Sequence, residues 1–211
     1  MGLFLAGERS RDELLETDPF ALLIGMVLDQ QIPMERAFSS PGDLKERLGG
    51  TLEVHQIADM DPERLRAAFA EKPALHRFPG SMADRVQQLA KTLVESFDAD
   101  AASVWTKSSD GAELLKRVRQ LPGFGEQKAR IFVALLGKRL GVRPSGWDRA
   151  AGAFAEKGAF LSIADIDGPA AYAKVRAHKR EMKAAQKAVP ALETTSPARS
   201  TAKAIRTAKS S

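Results

Sequence analysis

The clearest candidate for chemistry in this sequence is the nine-residue turn Leu121-Pro122-Gly123-Phe124-Gly125-Glu126-Gln127-Lys128-Ala129. Pro122 is expected to end one helix, and the two glycines permit backbone angles and close approaches that a side chain would block. The first N–H groups of the next helix then have no partner within that helix, so they can bind a phosphate oxygen. The turn therefore predicts binding to a phosphate backbone.

The same turn is also compatible with a tight helical hairpin that binds no DNA, because Pro-Gly turns are common. In either case Leu121 and Phe124, followed by Ala129, Val133 and Leu136, are expected to pack the two helices together. Contact with the DNA backbone is favoured by the basic residues near the turn, since phosphate contacts dominate affinity. These basic residues are Arg117, Arg119, Lys128 and Arg130.

The net charge of +5 is distributed unevenly along the chain. Residues 179–211 contain eight basic and two acidic residues, a net charge of +6, which leaves −1 for residues 1–178. Within the latter, residues 107–149 contain ten basic and four acidic residues and carry +6, so the rest of that region carries −7. This polarisation favours a face that meets phosphates over a uniformly solvated surface.

The composition argues against several other kinds of site. The chain has no cysteine, so it has no disulfide, thiol nucleophile, iron–sulfur cluster or cysteine-type zinc site. His55, His76 and His178 lack the spacing of metal ligands and are expected to be surface or packing residues. No apolar run of membrane-spanning length occurs, and the first residues do not resemble a signal peptide, so a cytoplasmic, nucleoid-associated protein is expected.

The turn is expected to lie in an all-α fold, because no convincing period-two strand pattern occurs. Asp18-Pro19 predicts the start of a central buried helix over residues 18–38, followed by a loop at residues 39–42 and a short helix that ends near Gly49-Gly50. Further helices are predicted over Asp61 to Ala70, Met82 to Phe97, Asp110 to Arg119 and Ala170 to Ala188. Residues 189–211 are predicted to be a disordered basic tail.

Three segments resemble the helix-hairpin-helix (HhH-GPD) superfamily of base-excision DNA glycosylases, over roughly Asp18 to Lys183. Residues 18–31 resemble the opening helix of that family, residues 121–129 its hairpin, and residues 141–148 the Gly/Pro-rich loop that leads to its catalytic Asp. Gly146-Trp147-Asp148-Arg149 departs from the Asp-Thr-His form of several members. The resemblance implies a two-lobed helical bundle over residues 1–188, with its hairpin at residues 112–139 and a DNA cleft between the lobes.

The resemblance also implies a chemistry. A base leaves the duplex, and a carboxylate stabilises the positive charge that grows on the sugar, or activates a water. Asp148 is the candidate carboxylate, although the residues alone favour a helix N-cap or an ion pair with Arg149. Gln31 matches a residue that helps to fill the gap left by the base, although two Gln residues before Pro33 can also be ordinary surface groups.

Family members that also cut the backbone have a lysine nucleophile six residues after the hairpin leucine, and here that position is Gln127. Lys128 is adjacent, but one helical position rotates the side chain by about 100°. A monofunctional enzyme without lyase activity is therefore expected, with Lys128 as a phosphate contact. The residues assigned to DNA binding are Gly123, Phe124, Gly125, Gln127, Lys128, Arg130 and Gln31. Trp105, Trp147 and Phe78 are either stacking partners for a base or core residues.

The sequence thus predicts a monomeric, monofunctional DNA glycosylase that needs no cofactor or metal and acts on duplex DNA containing a damaged or mismatched base. A glycosylase-like DNA-binding protein without catalysis and a helical protein-interaction domain remain as alternatives. Salt-dependent duplex binding distinguishes the last of these from the first two.

Overall fold

The computed structural model describes residues 2–188, with the backbone alone for positions 183 and 185–188. Helices dominate this part of the chain, and no strand occurs within it, which confirms the all-α prediction. The α-helices are α1 Arg9–Thr17, α2 Pro19–Leu28, α3 Met34–Arg47, α4 Val54–Asp59, α5 Pro62–Ala70, α6 Pro79–Phe97, α7 Ser103–Thr106, α8 Gly111–Arg119, α9 Glu126–Arg139, α10 Trp147–Ala151 and α11 Pro169–Ala188. Two 3-10 turns, Gly152–Ala155 and Ile163–Asp165, lie between α10 and α11. None of the helices within residues 2–188 is long and apolar enough to cross a membrane.

Helix α2 is the central helix that the sequence predicts, but it is shorter. Its N-cap Asp18 accepts hydrogen bonds from the N–H groups of Phe20 and Ala21, and Pro19 occupies the first helical position, where it loses no hydrogen bond. Every residue from Phe20 to Leu28 is buried. Each large apolar side chain buried in this way contributes about 1.5–3 kcal/mol, so α2 anchors its half of the molecule.

Two boundaries predicted around α2 are wrong. The helix ends at Leu28 rather than near Phe38, because Gln31 adopts a left-handed conformation (φ 58°) and Pro33 disfavours helical geometry in the residue before it. The loop predicted at residues 39–42 lies inside α3. Tertiary contacts override the turn propensity there: Ser40 is buried, and its Oγ donates to the carbonyls of Arg36 and Leu75.

The helices form two groups, as expected of a two-lobed bundle. Helices α1 to α6 pack mainly on one another, and α7 to α11 form the second group together with the 3-10 turns. The core of the second group lies under α9, where the Phe132 ring meets Trp105 and Phe124 edge to face at centroid distances of 5.8 and 5.6 Å. This aromatic cluster fixes the hairpin, since Phe124 belongs to the turn itself.

The residues predicted to form a disordered tail, 189–211, lie outside the described residues. That prediction, and the domain boundary at residue 188, therefore stay predictions.

Candidate DNA-binding and active site

The α8–α9 turn exposes backbone N–H groups at the start of a 14-residue helix. Gly125 is the N-cap of α9, and no side chain caps the helix. Within residues 2–188, the N–H groups of Gly125, Glu126 and Gln127 have no protein acceptor. They are therefore free to donate to an external anion, as the sequence predicts for a phosphate site.

The two glycines of the turn have different structural roles. Gly123 has φ +86°, and a Cβ there would lie 3.2 Å from Cδ of Arg85, so this position needs glycine for the fold itself. Gly125 has an ordinary φ of −65°, and a Cβ there would find no atom within 4 Å. The fold can accept a side chain at Gly125, whereas a ligand that approaches the turn would meet it.

The first turn of α9 sends three consecutive side chains in three directions. Glu126 is exposed and forms ion pairs with Arg119 (2.8 Å) and Arg130 (2.7 Å). Gln127 lines a pocket on another side of the helix. The Lys128 ammonium points inward and donates to the Met26 carbonyl at 2.7 Å and the Asp29 carbonyl at 3.4 Å.

Lys128 is therefore not placed as the sequence predicts. Its ammonium satisfies carbonyl oxygens at the end of α2, which have no partners within that helix, and it would have to leave them to reach a phosphate. Burial lowers the pKa of Lys128, while the nearby Asp29 opposes this shift. The contact ties the hairpin to the end of α2 and so joins the two groups of helices.

Phe124 also departs from its assignment to DNA binding. Its side chain is 3% exposed and packs on Phe132, so it serves the core, in line with the packing role expected for it. Trp105 is buried as well, and Trp147 packs so closely on α9 that a Cβ at Gly137 would lie 2.3 Å from its ring. Phe78 is 43% exposed, which leaves it as the one of the three aromatic candidates with a substantial free surface.

Gln31 is exposed in the loop after α2, and its neighbour Gln30 is held in place. The Gln30 amide donates to the Val27 carbonyl (2.7 Å) and accepts from Arg85 (3.1 Å), the residue that lies against Gly123. His76 is a buried packing residue: Nδ1 accepts from the Phe78 N–H, which leaves Nε2–H to donate to the Gln30 carbonyl at 2.8 Å. The loop with Gln31 therefore lies near the hairpin turn.

Asp148 lies in the first turn of α10, in a shallow depression of about 870 Å³ that we call the basic depression. The charged residues lining this depression are Asp110, Lys116, Arg119, Arg130, Asp148 and Arg149. Asp148 is exposed and caps no helix, because Gly146 is the N-cap of α10. Within the described residues its carboxylate has no hydrogen bond or ion pair, so neither structural alternative considered for it occurs here.

A second cavity, of about 640 Å³, lies between α9 and α11, and we call it the α9–α11 pocket. Its lining includes Asp29, Gln127, Ile131, Phe154, His178 and Lys179. Gln127, predicted to bind DNA, and Asp148, predicted to be catalytic, thus line different cavities. Asp29 and His178 were not among the predicted site residues. The sequence feature that could have identified Asp29 is its position directly after the buried helix and before Gln30-Gln31.

The HhH-GPD superfamily base excision DNA repair protein family matches residues 24–195, most of the chain. The chain belongs to this superfamily. The match includes the α8–α9 turn, both cavities and the loop that carries Gln31. No curated protein and no solved structure matches the chain. Membership of the HhH-GPD superfamily makes DNA the expected substrate. No group of acidic and histidine side chains within residues 2–188 is arranged to hold a metal ion.

Proposed function

We propose that this HhH-GPD protein binds duplex DNA through the α8–α9 turn and acts as a monofunctional DNA glycosylase on a damaged or mismatched base. The observation that carries the proposal is the set of unpaired N–H groups at Gly125, Glu126 and Gln127, with open space in front of Gly125. A phosphate oxygen accepts hydrogen bonds from such groups, and the helix dipole favours its negative charge. As in the sequence-based prediction, a monomer in the cytoplasm that needs no cofactor is proposed.

The α9–α11 pocket is the proposed place for the extruded base. Its lining combines apolar side chains with the amide of Gln127, which can hydrogen-bond to a base edge. Phe78 and Gln31, both exposed, are available to occupy the space that the base leaves in the duplex. Because Gln127 is no nucleophile, the product is an intact abasic site rather than a cut strand.

DNA binding is tested by Gly125→Val, with Gly125→Ala as a smaller step. Both side chains fit the fold, so thermal stability should change little, while affinity for duplex DNA of any sequence should fall by at least about tenfold for Val. A folded Gly125→Val protein with unchanged affinity would limit the turn to a structural role.

Base release is tested on oligonucleotides with alkylated, deaminated, oxidised or mismatched bases, followed by alkali cleavage at abasic sites. Borohydride should trap no covalent adduct.

A catalytically inactive DNA-binding protein is the second candidate. It is favoured by the placement of Asp148 outside the pocket proposed for the base, which Gln127 lines, since a carboxylate that acts on the sugar must lie beside the extruded nucleotide. Duplex binding without base release on the whole substrate set would support this candidate.

A further inference from the structure

Asp29 is the acidic residue of the α9–α11 pocket, since the other residues of its lining are neutral or basic. The residue is half-buried. Among the described side chains, those of residues 2–182 and 184, its carboxylate accepts no hydrogen bond and forms no ion pair, although it lies close enough to the Lys128 ammonium to oppose the lowering of the pKa of that lysine by burial. Asp165 differs, because its carboxylate is bound by Lys138 (2.6 Å) and by the N–H groups of Leu161 and Ser162.

The backbone of Asp29 is held from two sides. Its N–H donates to the Gly25 carbonyl at 3.0 Å, and its own carbonyl accepts from the Lys128 ammonium. Gln127, which precedes Lys128, lines the same pocket. The contact from Lys128 therefore fixes the end of α2 beside the start of α9 and keeps Asp29 and Gln127 on one cavity.

The two candidate carboxylates lie in different electrostatic environments. Asp148 is exposed in a cavity that it shares with four basic side chains. Asp29 lines a pocket with one lysine, Lys179, and with the apolar side chains of Ile131, Phe154 and Leu161, which exclude water from part of the surface. A carboxylate stabilises a developing cation best where the effective dielectric constant is low, and competing cations weaken the effect.

We infer that Asp29 is the catalytic carboxylate of the reaction, an inference that rests on the proposed function. As the bond between the sugar C1′ and the base nitrogen breaks, its electron pair leaves with the base, and Asp29 stabilises the positive charge on the sugar. Water then bonds to C1′ and gives one proton to Asp29, while the base takes up a proton from solvent. Return of the Asp29 proton to solvent completes the hydrolysis.

The test uses the full chain and two duplexes that differ at one position, a neutral tetrahydrofuran abasic site or a cationic pyrrolidine in the same place. The pyrrolidine mimics the charged sugar, so a facing carboxylate should make wild-type protein bind it at least about tenfold more tightly than tetrahydrofuran. Asp29→Asn should remove this preference, and Asp148→Asn should preserve it. On any oligonucleotide from which the wild type releases a base, Asp29→Asn should lower release by at least about a hundredfold.

The outcomes separate this inference from the proposed function. Tight binding of both duplexes without a pyrrolidine preference would overturn the role of Asp29 and leave duplex binding intact. A preference lost in Asp148→Asn rather than Asp29→Asn would assign the role to Asp148. Absence of salt-dependent duplex binding would overturn the proposed function itself. Thermal melts monitor folding, and Asp29→Ser provides a second, smaller neutral side chain should Asp29→Asn be unstable.

Discussion

Two faces of α9, one with Glu126 and the other with Gln127, differ in charge and in polarity. The face of Glu126 and Arg130 borders the basic depression, where charged groups pair with one another in solvent. The face of Gln127 and Ile131 borders the α9–α11 pocket, which combines apolar walls with a few polar groups. Successive side chains of a helix point about 100° apart. A chain can therefore match a family motif in sequence while two neighbouring residues of that motif line different cavities.

Under the proposed function, the charge pattern of the sequence indicates the DNA-binding region but does not indicate where the reaction takes place. Polyanion attraction depends on the sum of many charges, and residues 107–149 carry a net charge of +6. Stabilisation of a sugar cation needs one carboxylate in a partly enclosed site, where few charges can be accommodated. In the proposed mechanism the two requirements are met in the two cavities that border different faces of α9.

The largest expected effect follows from removal of Phe132, which supports both faces of α9 from the core. Phe132 is fully buried under α9 and meets both Trp105 and Phe124. Phe132→Ala should lower the free energy of unfolding by about 3–5 kcal/mol, because the cavity removes contacts beneath both faces. Urea unfolding followed by far-UV circular dichroism measures this loss. A loss below about 1 kcal/mol would mean that the hairpin does not depend on the aromatic cluster.

Lys128→Met tests whether Lys128 is a phosphate contact or a link between the two groups of helices. The change removes the donor to the Met26 carbonyl, and we expect a loss of about 1–3 kcal/mol in unfolding free energy. The salt dependence of duplex binding, measured by fluorescence anisotropy, should keep its slope. A slope reduced by about one unit in a protein of wild-type stability would restore the phosphate role.

The sequence predicts the start of α2, the helices α5, α6, α8 and α11 and the hairpin, because those depend on local patterns such as Asp18-Pro19 and the two glycines of the turn. It does not predict the inward contact of Lys128 or the position of Asp29 beside Gln127, because both depend on packing between α2 and α9, which are about a hundred positions apart in the chain. Exposure of Phe78 and burial of Phe124 likewise depend on tertiary contacts. In the sequence the two residues look alike, because each is a phenylalanine close to a glycine near the start of a helix.

Glu126→Gln tests the charged face on its own. The side chain keeps its shape but loses the charge that pairs Arg119 and Arg130, so both cations become available to DNA. Because exposed pairs contribute about 0–1 kcal/mol, stability should change little. Affinity for any duplex should rise by roughly two- to tenfold at low salt and less at high salt. Arg66, which pairs with Glu63 and Asp84 away from the hairpin, provides the control: Glu63→Gln should affect binding much less.

The smallest effect concerns pH and again separates the buried lysine from the exposed face. Burial lowers the pKa of Lys128 in the folded protein below the ordinary value of 10.5. At pH values between the pKa of Lys128 in the folded protein and its ordinary value, the unfolded chain binds more protons at this residue than the folded protein does. The contribution of Lys128 to stability therefore grows as pH rises through this range. The raised pKa of Tyr172, caused mainly by its hydrogen bond to Glu35, acts in the opposite direction above pH 10.

The difference between wild type and Lys128→Met removes the contribution of Tyr172, since both proteins carry it. Urea midpoints measured in steps from pH 8 to about pH 10 should therefore show the wild type gaining stability relative to Lys128→Met. Glu126→Gln, altered on the exposed face, should run parallel to the wild type over the same range. A wild-type curve parallel to that of Lys128→Met would mean that the ammonium is as well solvated in the folded protein as in the unfolded chain. The link between α2 and α9 would then not be a buried contact in solution, and the shared placement of Asp29 and Gln127 would lose its physical basis.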